Sequence, residues 1–182
     1  MRGHVPRASR TAQDLARYGA MVREPLDVQH FTSSTPHGLD LLRTGSTSDL
    51  HPTEYDTLSA LVERSHAISL IDAGSGRTPV ALTRAAEIAD RMVVTGLPTA
   101  VQRMPLVLDW LRTIGRADLA ASAMAILMPE SDEQMRARLR ATFPHVLAMP
   151  HDPHLAQGGV VDPALVSVPV KDILLEIAAV LL

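Results

Sequence analysis

The chain has 182 residues, 46 % of them hydrophobic and 20 % charged, with a net charge of −3. That is enough for one domain burying roughly 70 % of its unfolded surface, and it is too apolar for a disordered chain. No apolar run approaches the ~18 residues of a membrane span. Met1 to Arg7 lacks the apolar stretch of a secretory signal. The absence of cysteine removes disulfides, thiolate zinc sites and cysteine nucleophiles. A pI near 6.2 gives no global basic field for nucleic acid. These features lead us to expect a cytoplasmic protein with no transmembrane segment and no sequence-specific nucleic-acid binding.

Sixteen of the seventeen basic residues are arginine, and the single lysine is Lys171. Any chemistry that needs a lysine must therefore use Lys171. Aromatic side chains are limited to Tyr18, Phe31, Tyr55, Trp110 and Phe143, so the stacking platforms of single-strand binders are missing.

Residues 1–10 read as a loose arm and residues 11–182 as one domain. Thr11 to Tyr18 has a short helical pattern, with Leu15 and Tyr18 on one side. Leu26 to Ser33 and Leu39 to Arg43 read as short strands around the turn Thr35-Pro36-His37-Gly38. A helix opens near His51-Pro52-Thr53, with Glu54 and Asp56 in its first turn, and buries Tyr55, Leu58, Leu61 and Val62. A repetitive pattern comes next. Strands are predicted at Ala67–Asp72, Met92–Gly96, Ala123–Leu127 and Val146–Met149. Helices are predicted at Pro79–Asp90, from Thr99 to Ile114, around Asp118-Leu119, after Ser131, and from Val168 to Leu182. Ser131 with Gln134 three positions on suggests a capping box. Strands alternating with helices of about three turns imply βαβ units, hence an α/β fold with a largely parallel sheet flanked by helices.

The segment Ile68-Ser69-Leu70-Ile71-Asp72-Ala73-Gly74-Ser75-Gly76 carries the most chemistry. An apolar strand would deliver Asp72 at its carboxyl end, where parallel sheets bind ligands. The Gly-rich turn behind it would let backbone N–H groups approach a phosphate. There Asp72 would hold magnesium through water, as a Walker-B acid does. The plainer alternative is that Asp72 ends a strand and the glycines turn the chain. Gly74-Ser75-Gly76-Arg77-Thr78 also imitates the end of a P-loop. The pattern G-x-x-x-x-G-K-[ST] requires a glycine where Ile71 stands and a lysine where Arg77 stands. Arginine's planar fork does not replace a compact ammonium there, so these residues contain no P-loop.

His145, His151, Asp152 and His154 lie close together in sequence, but their spacing matches no zinc pattern, and no structural metal site is expected. The final helix is amphipathic at first and nearly all apolar at its end. With Lys171 as its only basic residue, it suits packing on a sheet better than lying on a membrane.

The ordered set of segments resembles the MinD/ParA family of P-loop ATPases, in particular its actinobacterial MinD-like members, from about Thr11 to Leu182. The resemblance rests on the IDAGSG segment, Ala86-Glu87-Ile88-Ala89-Asp90-Arg91-Met92-Val93-Val94 and Leu106-Val107-Leu108-Asp109-Trp110-Leu111. Its most specific part is Met149-Pro150-His151-Asp152-Pro153-His154-Leu155-Ala156-Gln157-Gly158-Gly159. It implies a Rossmann-like P-loop NTPase fold without its first strand and helix, which in the family precede the residue corresponding to Thr11. It also implies Asp72 in the Walker-B position, Gly76 as the switch glycine facing the γ-phosphate, and Pro150 and Asp152 beside the adenine. Met128-Pro129 stands where many relatives place an adenine-reading asparagine.

The family's work is ATP-dependent dimerisation and positioning of cellular cargo. The expectation is therefore a truncated or degenerate member without ATPase activity of its own, which does not bind Mg-ATP alone and pairs with itself or with a family partner. The alternatives are an intact ATPase whose P-loop lies upstream, and a non-catalytic interaction module.

Overall fold

The computed structural model describes residues 10–35, 38–44, 50–73, 79–128, 132–158 and 161–182. The chain divides into two compact units, Met1–Ile88 and Ala89–Leu182. The expected arm lies outside the described residues except for Arg10, whose guanidinium sits 5.1 Å from the centre of the Phe31 ring.

The first unit is mainly helical. Helix α1 (Ala12–Tyr18) starts at a capping box in which the Thr11 N–H donates to Asp14 Oδ2 at 2.9 Å and the Asp14 N–H donates back to Thr11 Oγ1 at 3.3 Å. A 3-10 turn, the short helix α2 (Pro25–Val28) and a second 3-10 turn lead to the two-residue strands β1 (Ser33–Ser34) and β2 (Asp40–Leu41), paired antiparallel. Helix α3 (Pro52–Ser65) comes next, capped by His51. The expected hairpin is present, but Leu26–Phe31 is helical rather than extended. There the Asp27 carboxylate gathers the N–H groups of Arg23 and Glu24 and closes a helical turn. The core is Leu15, Val22, Val28 and Phe31 against Leu58 and Leu61, with Tyr55 partly buried beside them. Helix α4 (Pro79–Ile88) packs on α3.

The second unit is α/β. Strands β3 (Val93–Gly96), β4 (Met124–Leu127) and β5 (His145–Ala148) form a parallel sheet in that order, with Val93 opposite Met124 and Met124 opposite His145. Every residue of β4 is buried, which is why Met-Ala-Ile-Leu reads as a continuous apolar run. Helix α5 (Met104–Thr113) packs on β3 and on α6 (Ala117–Ser122), and α7 (Glu133–Arg140) packs on β5. Helices α8 (Pro153–Ala156) and α9 (Val168–Leu181) complete the unit.

Several expectations are corrected. The sheet has three strands instead of four, because residues 67–73 carry no strand. An extended segment becomes a strand only by pairing, and no described strand pairs with this one. Ile68 and Leu70 consequently stand 58 % and 81 % exposed. The helix expected from Thr99 to Ile114 is split into a 3-10 turn, Pro98–Ala100, and α5. Pro105 has no N–H to donate and is tolerated only in a first turn. Asp132 caps α7 through the Met135 N–H at 2.8 Å, whereas Ser131 lies outside the described residues. Helix α9 buries Val170 but leaves Val168, Leu174 and Leu175 exposed, so it covers the sheet less than expected.

Two glycines fix the ends of β3 and α5, one by a close approach and one by its backbone conformation. A Cβ on Gly96 would lie 2.8 Å from the buried Met104 sulfur. Gly115, at φ 83°, ends α5: its N–H donates to the Arg112 carbonyl, and the Arg116 N–H reaches back to the Leu111 carbonyl. The Arg116 guanidinium then joins the Asp118 carboxylate at 2.8 Å to the Ala89 carbonyl at 2.9 Å, and it holds Asp118 at a pKa of about 2.

A Cβ on Gly115 would meet nothing within 4 Å. The cost of Gly115→Ala is therefore all backbone, about 1–2 kcal/mol, and the melting temperature should fall by roughly 2–8 °C. The exposed Ile68, Leu70 and Ile71 make a second expectation testable. On size exclusion the chain should elute larger than a monomer, and Leu70→Asp should shift it towards monomer. A sharp monomer peak for the unaltered chain would refute this.

Candidate functional site

The carboxyl edge of the parallel sheet, where such sheets bind ligands, is formed by the ends of β3, β4 and β5. The ladder runs one residue past the strands: the Met128 N–H donates to the Gly96 carbonyl at 2.9 Å and the Met149 N–H to the Leu127 carbonyl at 2.8 Å. The chain then leaves β5 through Pro150 and His151 to Asp152.

Asp152 organises the segment from β5 to α9. It is 4 % exposed. Its Oδ1 accepts from the N–H groups of His154 at 2.8 Å and Leu155 at 3.0 Å, and its Oδ2 accepts from the Ser167 N–H at 2.8 Å. One carboxylate thus caps α8 and fixes the residue before α9. Pro153, at the first position of α8, has no N–H left to satisfy. The Ser167 N–H, then that of Leu155, hold the Asp152 carboxyl far below the usual carboxylate range against the opposing effect of burial. The loop between α8 and α9 is further tied by the Asp162 N–H donating to His154 Nε2 at 3.0 Å and the Ala164 N–H donating to Asp162 Oδ1 at 2.9 Å.

These contacts settle where the expected site residues stand. Asp152 is an anchor whose oxygens are occupied by backbone donors. Pro150 is half-buried at the sheet edge beside it. Asp72 belongs to the first unit, in an exposed irregular segment rather than at a strand end. Gly74, Ser75 and Gly76 lie outside the described residues. Of the three histidines, His154 is engaged through Nε2, while His145 and His151 are exposed. No group of three potential metal ligands gathers among the described residues. Lys171 points its Nζ at the Ala164 carbonyl, 3.5 Å away, in the first turn of α9.

Ser167 and His154 have roles that sequence reasoning missed. The dipeptide Asp152-Pro153 was the available signal, since an acid before a proline marks a helix start. Chemically, the described edge is a backbone frame tied together by a buried carboxylate whose oxygens accept three backbone N–H groups. No family model, curated protein or solved structure matches this chain. Among the described residues no helix is long and apolar enough to cross a membrane.

Because folding depresses the Asp152 pKa, its contribution to stability is complete above the unfolded value of 3.8 and is lost as the pH falls below it. Asp152→Asn should lower the melting temperature by several degrees at pH 7. The gap to the parent protein should shrink as the pH is taken from 4 to 2. Thermal unfolding followed by circular dichroism across that range is the measurement, and a gap that does not depend on pH would contradict the assignment.

Proposed function

We propose that residues 11–182 form the Walker-B and adenine-side portion of a MinD/ParA-like P-loop ATPase domain, in a form that does not hydrolyse ATP by itself. The observation that carries this reading is the junction after β5. The Met-Pro-His-Asp-Pro-His segment on which the sequence resemblance most depends leaves the carboxyl edge of a parallel sheet and is held there by the buried Asp152. A second support is the apolar run 67–71 ending in Asp72. Its exposure is what a buried strand would show without a neighbour to pair with.

In this reading the sequence resemblance assigns Pro150 and Asp152 to the adenine side, Asp72 to the magnesium side and Gly76 to the switch glycine of the γ-phosphate. The phosphates themselves have no cradle in these 182 residues, which contain no Gly-rich loop followed by lysine. Since phosphoryl transfer is catalysed mainly by positioning and electrostatics, these residues are left without the machinery of hydrolysis. Two other readings remain open to test. The exposed run 67–71 equally favours an intact ATPase whose P-loop strand lies ahead of Met1. The exposed Leu174 and Leu175 on α9 favour an interaction module without catalysis.

Mg-ATP should leave the melting temperature of residues 1–182 nearly unchanged. Ligand at 100 times its Kd would add about 2.7 kcal/mol, and each kcal/mol moves a domain of this size by roughly 2–4 °C. An ATP-specific shift above about 5 °C, absent with AMP, would overturn the proposal, as would loss of hydrolysis on Asp72→Ala. Translating the DNA ahead of Met1 separates the readings further, because an in-frame Gly-rich loop with lysine would establish the intact ATPase.

A further inference from the structure

In the first unit, far in sequence from the sheet edge and Asp152, the end of α3 meets the hairpin β1–β2. Ser65 Oγ lies 2.8 Å from His66 Nδ1, and His66 Nε2 lies 3.0 Å from Asp40 Oδ2. The other Asp40 oxygen accepts from the Ser34 hydroxyl. The three groups are thus in series: a hydroxyl, an imidazole and a partly buried carboxylate. Asp40 is the more enclosed partner, its side chain 13 % exposed against 26 % for His66. Its carboxyl is held below the usual range by the Ser34 hydroxyl and then by His66, so it is charged and accepts from both.

This series determines how a neutral imidazole can be placed. With Asp40 a carboxylate, His66 Nε2 carries the proton and donates it to Oδ2. That leaves the Nδ1 lone pair facing the Ser65 hydroxyl. A nucleophile bonded to a base, with the base oriented by an acid, is the arrangement that activates serine for acyl transfer. The same hydroxyl also lies 3.0 Å from the Leu61 carbonyl and 3.1 Å from the Val62 carbonyl, the ordinary back-bonding of a helical serine. The proton therefore has two destinations, and attack requires the rotamer directed at His66.

We propose that Ser65, His66 and Asp40 form a nucleophilic relay that acylates on Ser65, taking small activated esters; the exposed Ile68 two residues beyond His66 suits an apolar acyl group. In the first step Ser65 Oγ attacks the ester carbonyl carbon as its proton passes to His66 Nδ1. The bond from that carbon to the leaving oxygen then breaks, and the leaving group departs with the proton from Nδ1. Water releases the acyl group by the same exchange, returning the proton to Ser65. No oxidant or metal enters the balance. Ser65 and His66 are the catalytic residues, and Asp40 and Ser34 are positioning residues.

The test uses the 182-residue chain with a fluorophosphonate probe. Ser65 Oγ would form a bond to phosphorus as fluoride leaves and His66 takes the proton. A single adduct at Ser65 is expected by peptide mass mapping, together with p-nitrophenyl acetate hydrolysis that Ser65→Ala abolishes. His66→Gln and Asp40→Asn should slow labelling by about 100-fold or more, with circular dichroism confirming the fold. Asp40→Asn, which keeps the shape of the side chain and its contact with Ser34, decides the matter if His66→Gln unfolds. No adduct at Ser65, adducts spread over several serines, or a Ser65 labelling rate that Asp40→Asn leaves unchanged would each show that the series is only a structural tie between hairpin and helix.

Discussion

The second unit depends on β4 being closed on every side. Its four residues are buried, and its backbone is paired with β3 along one edge and β5 along the other. A strand in that position cannot accept a polar side chain without an unmet hydrogen bond, which explains a sequence of Met, Ala, Ile and Leu with no break. The two small residues before Ile126, Ala123 and Ala125, are fully buried. On β3, Met104 occupies the space that a side chain on Gly96 would need. The packing of α5 on β3 is thus set by the volume that Gly96 leaves free.

How far the sequence reveals the structure varies with how local the deciding interaction is. The strand β4, the helix α3 and the helix α6 are visible because burial periodicity, a proline near the start and acids in the first turn act within a few residues. The strand at 67–72 is misread for the opposite reason. Its composition suits a buried strand, but a strand exists only through its neighbour, and composition does not report whether the neighbour is there. The region 26–31 fails through turn chemistry. Asp27 draws in two preceding N–H groups, and that local bond outweighs the extended preference of Val28 and Phe31. The candidate site was legible as a place, the carboxyl edge of a parallel sheet, and less so as a set of roles. Ser167 is fifteen residues from Asp152 and joins it through a backbone N–H, a contact that side-chain identity does not announce.

The first unit shows the same rule at a smaller scale. Its hairpin has two residues in each strand, too few to persist without packing. It is held by Asp40 bonded to His66 on one side and by the Ala12 N–H donating to the Arg43 carbonyl on the other, at 2.8 Å. The polar contacts that make Ser65, His66 and Asp40 chemically interesting therefore also hold the hairpin and α3 together. Such a dual role is expected where a serine nucleophile must be oriented, because orientation comes from the same hydrogen bonds that give rigidity.

The contrast between Asp72 and Asp152 shows what the proposed nucleotide chemistry would require of this chain. Both acids come after apolar runs, and the sequence pattern gives Asp72 the greater weight. Asp152 accepts three backbone N–H groups, so its charge is spent on the fold and it has little capacity left for a cation. Asp72 is exposed, yet a single carboxylate does not hold magnesium. That ion keeps most of its waters and is bound through one or two carboxylates together with phosphate oxygens from the substrate. The phosphates must therefore be placed first, and placing them takes a ring of backbone amides and a lysine. Lys171, engaged with the Ala164 carbonyl at the start of α9, belongs to no such ring. Whether the proposed nucleotide site works thus turns on a phosphate cradle, and Asp72 gains a catalytic role only once that cradle is supplied.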